Sequence, residues 1–303
     1  MRKVIGIDLG GTKINGGIVD ESGEIIKKIT IETNIQDGRK GVLDGIKYIV
    51  RELKNKENIE AIGLGTPGFI DVEKGEVVFH GGNIPDWAGV NIREELASEF
   101  KDIPTVIEND ANVATICEQW VGAGRGLNSF VMITLGTGVG GGIWTKDEGI
   151  WHGNNYQGAE FGHSILYPNG RHCNCGQRGC AEQYISGNGI ENSFYEKANK
   201  RMRGIDIFKN SEYDPICKMV VEEFADDLAI FLTTLKNIFD PEGIVIGGGV
   251  INSKEYWWDK MTSSYEKICN NSKGTKIFPA KYLNDSGMIG AGKLAFDYIN
   301  MDF

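Results

Sequence analysis

Apolar residues recur along this chain with two alternating periods: the close spacing of buried strands and the three-to-four spacing of amphipathic helices. Lys3-Val4-Ile5-Gly6-Ile7-Asp8 is an apolar run that ends at Gly10-Gly11-Thr12. Residues 16–20 and 25–33 follow as further runs after polar turns, which predicts a β-meander. Over residues 38–56 the period becomes helical, with Val42, Leu43, Ile46, Ile49, Val50 and Leu53 on one face. Residues 61–65 read as a buried strand running into the turn signal Thr66-Pro67-Gly68. Residues 90–100 and 109–122 read as helices, the second opening on an Asn/Asp pair suited to capping.

Near Ser129 the pattern restarts. Residues 130–135 form an apolar strand, residues 136–142 a glycine-rich turn, and Ile143-Trp144 the next strand. Strand, glycine–threonine turn and strand thus occur twice, which points to a duplicated architecture. A long helix over 214–239, a strand over 243–246 ending in Gly247-Gly248-Gly249, and a last helix over 287–300 complete the pattern. No Pro/Ser-rich linker interrupts it, so two α/β domains meeting at a cleft are expected. Their bounds are residues 1–120 plus 288–303 for the smaller and 121–287 for the larger.

Composition narrows the function classes. A chain of 303 residues with 41% hydrophobic content is long enough for two cored domains. A formal net charge of -10 leaves no basic excess for a nucleic-acid backbone, so no nucleic-acid partner is expected. Asp8 interrupts the first apolar run too early for a secretory signal, and no run approaches the roughly 20 apolar residues of a membrane span. A cytoplasmic protein without a membrane partner is the expectation, and in a reducing compartment clustered cysteines favour metal ligation over disulfides.

Glycines after a strand let a ligand approach the backbone, and free N–H groups there favour anions such as phosphate. Asp8-Leu9-Gly10-Gly11-Thr12-Lys13 adds a carboxylate for magnesium or its water, a hydroxyl and an ammonium. It is not a Walker A loop, because the order is Gly-Thr-Lys and a strand follows. Residues 136–141 match GxGxxG, but a dinucleotide site needs a helix next and the sequence offers a strand. A single such turn is as well explained as a tight hairpin; three of them, each ending an apolar strand, favour a shared phosphate site.

Two carboxylate motifs and one cysteine motif carry the remaining chemistry. In Glu108-Asn109-Asp110-Ala111-Asn112, Asn109 or Asp110 serves as a helix cap in the local reading. The sharper reading makes Asp110 a general base with Asn109 beside it. Gly158-Ala159-Glu160-Phe161-Gly162-His163 sets a carboxylate and an imidazole three residues apart, on one side of a helical turn. His172 to Tyr184 reads HCNCGQRGCAEQY, so Cys173, Cys175 and Cys180 form C-x-C-x4-C, with His163 ten residues before the first. Three cysteines and one histidine suit a closed tetrahedral zinc, with His172 a competing fourth ligand.

These motifs, in this order and over nearly the whole chain, resemble the ROK family of sugar kinases, as do Leu135-Gly136-Thr137-Gly138-Val139-Gly140-Gly141-Gly142, Glu182 and Ile246-Gly247-Gly248-Gly249. The resemblance implies an α/β, two-domain actin-like ATPase (ribonuclease H-like) fold with an interdomain cleft. It makes Asp110 the base for a sugar hydroxyl and Asn109, Glu160, His163 and Glu182 ligands of the others, with Gly68 in the same substrate-binding set. Asp8, Gly10, Gly11, Thr12, Lys13, Gly136, Thr137 and Gly138 would take ATP phosphates and Mg2+, and Gly248 and Gly249 would lie against adenosine. His163, Cys173, Cys175 and Cys180 match the family's structural Zn2+ ligands, so that the zinc fixes a loop with sugar ligands at both ends. In that reading His163 gives one ring nitrogen to zinc and keeps the other for the sugar.

The expected activity is transfer of the ATP γ-phosphate to a sugar 6-hydroxyl, glucose first and N-acetylmannosamine or N-acetylglucosamine second. Some family members are repressors with a helix-turn-helix ahead of the kinase-like part; a first strand at Lys3 leaves no room for one, which favours the enzyme over a sugar-sensing regulator. Residues 82–87 are expected to line the sugar pocket, with Asn83 as contact and Trp87 structural. Cys117, Cys217 and Cys269 read as core, Trp257-Trp258 as core or subunit interface, and the resemblance suggests a homodimer or homotetramer.

Overall fold

A computed structural model describes residues 1–79, 84–271 and 275–301. The chain forms two compact units: Met1–Arg125 with His152–Gly158 and Asn284–Phe303, and Gly126–Trp151 with Ala159–Leu283. The sequence pattern places the division at 120/121 and 287/288; the contacts place it at 125/126 and 283/284 and assign residues 152–158 to the first unit.

The first unit opens with β1 (Lys3–Leu9), β2 (Lys13–Asp20) and β3 (Ile25–Glu32), the antiparallel meander that the alternation predicts. Helix α1 (Gly38–Lys54) follows, then β4 (Ile62–Thr66), the small hairpin β5 (Phe69–Asp71) and β6 (Glu76–Phe79), α2 (Ile92–Ala97), β7 (Thr105–Asn109) and α3 (Asp110–Trp120). The sheet order is β3-β2-β1-β4-β7, with β4 parallel to both β1 and β7. Ile5, Ile7 and Leu9 pack with Ile46, Ile49 and Val50 of α1 in one core. Each such buried aliphatic side chain stabilises the fold by about 1.5–3 kcal/mol over the exposed state.

The second unit repeats the scheme. Its strands β8 (Ser129–Leu135), β9 (Val139–Thr145) and the two-residue β10 (Gly149–Ile150) are antiparallel neighbours. After α4 (Glu182–Ile185), α5 (Gly187–Ala198), α6 (Gly204–Asn210) and α7 (Pro215–Phe239) come β11 (Gly243–Gly247), α8 (Trp258–Ile268) and β12 (Lys276–Pro279). The order β10-β9-β8-β11-β12 copies that of the first sheet. Val131, Ile133 and Leu135 meet the apolar face of α7 in the core of this unit. Asp214 caps α7, its side chain accepting from Ile216 and Cys217 N–H, and Pro215 occupies the first helical position. The last helix, α9 (Ser286–Ile299), returns to the first unit and covers the other face of its sheet with Ala295 and Phe296.

One prediction needs correction. The glycine run 136–142 is not all turn, because β9 begins at Val139 and Gly140, Gly141 and Gly142 lie within it. These strand glycines have a packing reason: a Cβ on Gly141 would stand 2.3 Å from the Phe161 ring. Trp87 and Trp257 are core residues, and Trp87 Nε1–H donates to Thr66 Oγ1 at 3.1 Å. Cys117 and Cys217 are fully buried. No helix among the described residues is long and apolar enough to cross a membrane.

Candidate active site

In the first unit, β1 delivers Asp8 and α3 delivers Asp110. Asp8 follows Gly6 by two positions and so shares its face of the strand. A Cβ on Gly6 would lie 2.0 Å from Met288 O, and one on Gly63 of β4 would lie 1.8 Å from Ala291 O. These absent side chains let the α9 backbone rest directly on the sheet. The start of α9 therefore reaches Asp8, where a Cβ on Gly287 would stand 2.5 Å from the Asp8 carboxyl carbon. Asp8 accepts from Asn15 Nδ2 at 3.4 Å. Burial and then the charge of Asp110 raise its pKa to about 6, against the opposing hydrogen bond from Asn15 and the Lys28 charge.

The turn after β1 closes with Gly10 N–H donating to Lys13 O at 2.9 Å, and Thr33 Oγ1 donates to Gly10 O. Gly11, Thr12 and Lys13 are exposed, and a Cβ on Gly11 would meet nothing within 4 Å. Asn109 is the N-cap of α3, accepting from Ala111 and Asn112 N–H, while its Nδ2 donates to Gly68 O at 3.0 Å. Gly68 has φ +110, a left-handed conformation that favours glycine. Asp110 is the first helical residue and accepts from Ala111 N–H at 2.9 Å. Burial raises its pKa, and hydrogen bonds from Ala111 N–H, its own N–H and Asn109 hold the rise back. The cap thus falls to Asn109, and Asp110, half-buried at the start of the helix, is left with a raised proton affinity.

In the second unit, Glu160 precedes a 3-10 turn, Phe161–His163, which brings Glu160 Oε2 to 3.8 Å from His163 Nε2. The other ring nitrogen, Nδ1, faces Cys173 Sγ at 3.7 Å. Cys175 Sγ and Cys180 Sγ are 3.6 Å apart, and the ligand atoms of His163, Cys173, Cys175 and Cys180 lie within 4.8 Å of one another. Zinc bonds of about 2.0–2.3 Å imply tetrahedral edges of about 3.3–3.8 Å, so these four donors fit a closed zinc site with little movement. Burial, and then the neighbouring thiols, push Cys180 up to about 12, so three thiolates need a cation to coexist there. His172, the competing ligand, is exposed and outside the cluster.

Glu182 joins this cluster to the second glycine turn. Its Oε2 accepts from Val139 N–H at 3.0 Å, and its Oε1 is 3.9 Å from Cys173 Sγ. A Cβ on Gly138 would stand 2.2 Å from Glu182 Oε2, so a side chain there would displace the Glu182 carboxylate. Gly187 N–H donates to Gly136 O at 2.8 Å, and Gly248, at φ +82, packs against the Leu135 backbone. Gly136 and Gly249 face open space, as backbone that receives a ligand should.

Residues 4–297 match the family model described as ROK family. The chain belongs to the ROK family. A glucokinase of Thermotoga maritima is 34% identical over 310 residues, which span 96% of each chain. Among solved structures, a ROK family glucokinase from Streptomyces griseus in complex with glucose and AMPPNP aligns at TM-score 0.84 and 30% identity, covering 97% of this chain and 99% of that one. A ROK hexokinase from Thermus thermophilus aligns at TM-score 0.87 and 31% identity, over 98% and 99% of the two chains. The fold is accordingly the mixed α/β, actin-like ATPase fold of the ROK kinases.

With the ROK motifs located, the site residues sort by unit. The first contains Asp8, Gly10, Gly11, Thr12, Lys13, Gly68, Asn109 and Asp110. The second contains Gly136, Thr137, Gly138, Glu160, His163, Glu182, Gly248, Gly249 and the clustered Cys173, Cys175 and Cys180. Asn83 lies outside the described residues. Sequence reasoning passed over Glu108 and His152, which are bonded to each other beside Asp110. Glu108 was legible only as a neighbour of the Asn/Asp pair, and nothing in the local sequence of His152 points 44 residues back.

Proposed function

We propose that this chain is an ATP-dependent hexose kinase that transfers the ATP γ-phosphate to the 6-hydroxyl of glucose. Membership of the ROK family over residues 4–297, with Asp110 present at the start of α3, carries this reading. Asp110 takes the proton of the attacking 6-hydroxyl, a task that its raised pKa suits because a stronger base accepts the proton more readily. Asn109, Gly68, Asn83, Glu160, His163 and Glu182 hold the sugar. The turns at 10–13 and 136–138 receive phosphate oxygens through backbone N–H groups, and Gly248 and Gly249 lie against adenosine.

Asp8 is the carboxylate that would hold Mg2+ or its water; when bound, the ion neutralises phosphate charge. His163, Cys173, Cys175 and Cys180 would hold a structural Zn2+, which fixes the loop carrying His163 and Glu182. With Nδ1 toward the cysteines, His163 keeps Nε2 for a sugar oxygen. A homodimer or homotetramer in the cytoplasm, acting on sugar and ATP without a nucleic-acid partner, belongs to the same reading.

The test is an ADP-release assay with ATP and magnesium over glucose, N-acetylmannosamine, N-acetylglucosamine, fructose and allose, run beside Asp110→Asn. Glucose preferred, with turnover lost in the variant, is the expected result. Preference for an acetamido sugar would move the substrate to the N-acetylmannosamine or N-acetylglucosamine reading. Zinc-replete protein inactive on every sugar would point to a sugar-sensing regulator.

A further inference from the structure

Glu108 is almost wholly buried, at 3% side-chain exposure, and it stands two residues before the base. Its Oε1 accepts from Asn109 N–H at 2.7 Å and from Asn112 Nδ2 at 3.0 Å. Its Oε2 is 2.6 Å from His152 Nε2. One carboxylate therefore ties together the end of β7, the first turn of α3 and a distant segment. A buried carboxylate stripped of its partner is costly, so these bonds are firm constraints.

The distant segment is unusual in its path. The chain leaves the second unit after Trp151, contributes His152–Gly158 to the first, and returns at Ala159, directly before Glu160. Gly153, Tyr156 and Ala159 all have φ between +58 and +73, and no helix or strand holds these residues. Left-handed non-glycine residues persist where their surroundings over-determine them. Two side chains do so here: His152 on Glu108, and Tyr156, whose phenol hydrogen-bonds Asp71.

We propose that Glu108 and His152 are a positioning pair for the Asn109–Asp110 turn, holding the base in line by bracing the carboxylate on which that turn is built. The inference rests on the kinase reading above. Neither residue need touch the substrate; the pair acts through Asn109 and Asp110. A base displaced by about 1 Å costs on the order of 100-fold in rate. The Gly10–Lys13 turn shares no hydrogen bond with the pair, so ATP affinity should be untouched.

Steady-state kinetics of full-length, zinc-replete His152→Ala and His152→Gln test this, with circular dichroism melts alongside. His152→Ala should lower kcat about 10- to 100-fold with KM for ATP within about threefold of wild type. His152→Gln, whose amide can still donate to Glu108, should recover at least about tenfold of that loss. Should His152→Ala fail to fold, His152→Gln within about tenfold of the wild-type kcat, beside His152→Leu at least tenfold lower again, supports the pair. Active wild type with His152→Ala unchanged in kcat would overturn the pair alone. So would kcat falling only with the folded fraction, or Gln no better than Ala. Wild type inactive on every sugar would overturn the kinase reading and this inference with it.

Discussion

The two units are built on one strand scheme and filled differently. β1 and β8 are both seven residues long, both end in leucine before a glycine turn, and both lie between an antiparallel and a parallel neighbour. Counted from the strand starts, Gly6 corresponds to Met132 and Asp8 to Thr134; through the parallel pairing, Gly63 corresponds to Val245. In the first unit the glycines bring the α9 backbone onto the sheet beside an acidic group. In the second, Met132 and Val245 fill the same positions with fully buried side chains, and hydroxyl-bearing Thr134 replaces the acid. Repeated topology thus sets where turns fall, while a few side-chain exchanges decide which half carries an acid near the end of its central strand.

The sharpest way to break this asymmetry is to remove the proposed base. β7 ends in Asn109 with Asp110 next, at the start of α3, whereas β12, its counterpart, ends in Pro279. Asp110→Asn should lower kcat at least about 1,000-fold in the ADP-release assay. Its melting temperature should hold or rise, because a carboxylate whose charged form is disfavoured by burial is replaced by a neutral amide. An active Asp110→Asn enzyme would remove the base from this residue.

Exchanging the filling is the next largest test. Gly63→Val copies Val245 into the first unit and sets a Cβ 1.8 Å from the Ala291 carbonyl, where neither backbone can yield. Loss of at least about 3 kcal/mol, seen as insoluble or unfolded protein, is expected. The reverse change, Val245→Gly, empties a fully buried position and should cost about 2–4 kcal/mol, a folded protein with a lowered melting temperature. A Gly63→Val protein that folds with wild-type stability would show that the α9 approach is not the limiting contact.

What the sequence disclosed follows the same division. Strand periods, glycine turns and the cysteine spacing depend on neighbours in sequence, so the first meander, the β8–β9 repeat of its opening, the α1 face and the zinc-like cluster were legible from local patterns such as Val42, Ile46 and the C-x-C-x4-C spacing. The hairpin β5–β6 and the short α4 and α6 were not, because strands of three or four residues and helices of two turns or fewer leave little periodicity to detect. The Asp8–Asp110 coupling and the Glu108–His152 bond join residues far apart in sequence and depend on sheet order, which no local window contains.

The second unit has a cysteine–histidine cluster that the first lacks among its described residues. Removing a ligand tests what it adds. Cys175→Ser, or chelation of zinc-loaded protein, should raise KM for glucose about tenfold while far-ultraviolet circular dichroism shows the chain still folded, since Glu182 and His163 are the groups the cluster fixes. Loss of the fold with sugar affinity intact in the folded remainder would assign the cluster to stability alone.

The smallest effect concerns Asp8 itself, measured as stability and not as rate. Its folded pKa, about 6, lies above the usual 3.8. Between about pH 4 and 6 the native chain keeps a proton that the unfolded chain has released, so the stability of ligand-free protein falls as pH rises through that window. Below it both states are protonated and nothing is lost; above it the full penalty of a charged Asp8 beside Asp110 is present. Asp8→Asn stays neutral throughout. Its melting temperature should match wild type at pH 4 and exceed it by about 2–4 °C at pH 7, even as activity is lost. Asp110→Asn removes one of the two causes, so it should flatten the same pH slope only in part, leaving the share due to burial. A wild-type slope that neither variant alters would mean that Asp8 keeps an ordinary carboxylate's proton affinity, and that the two acids of the first unit titrate independently.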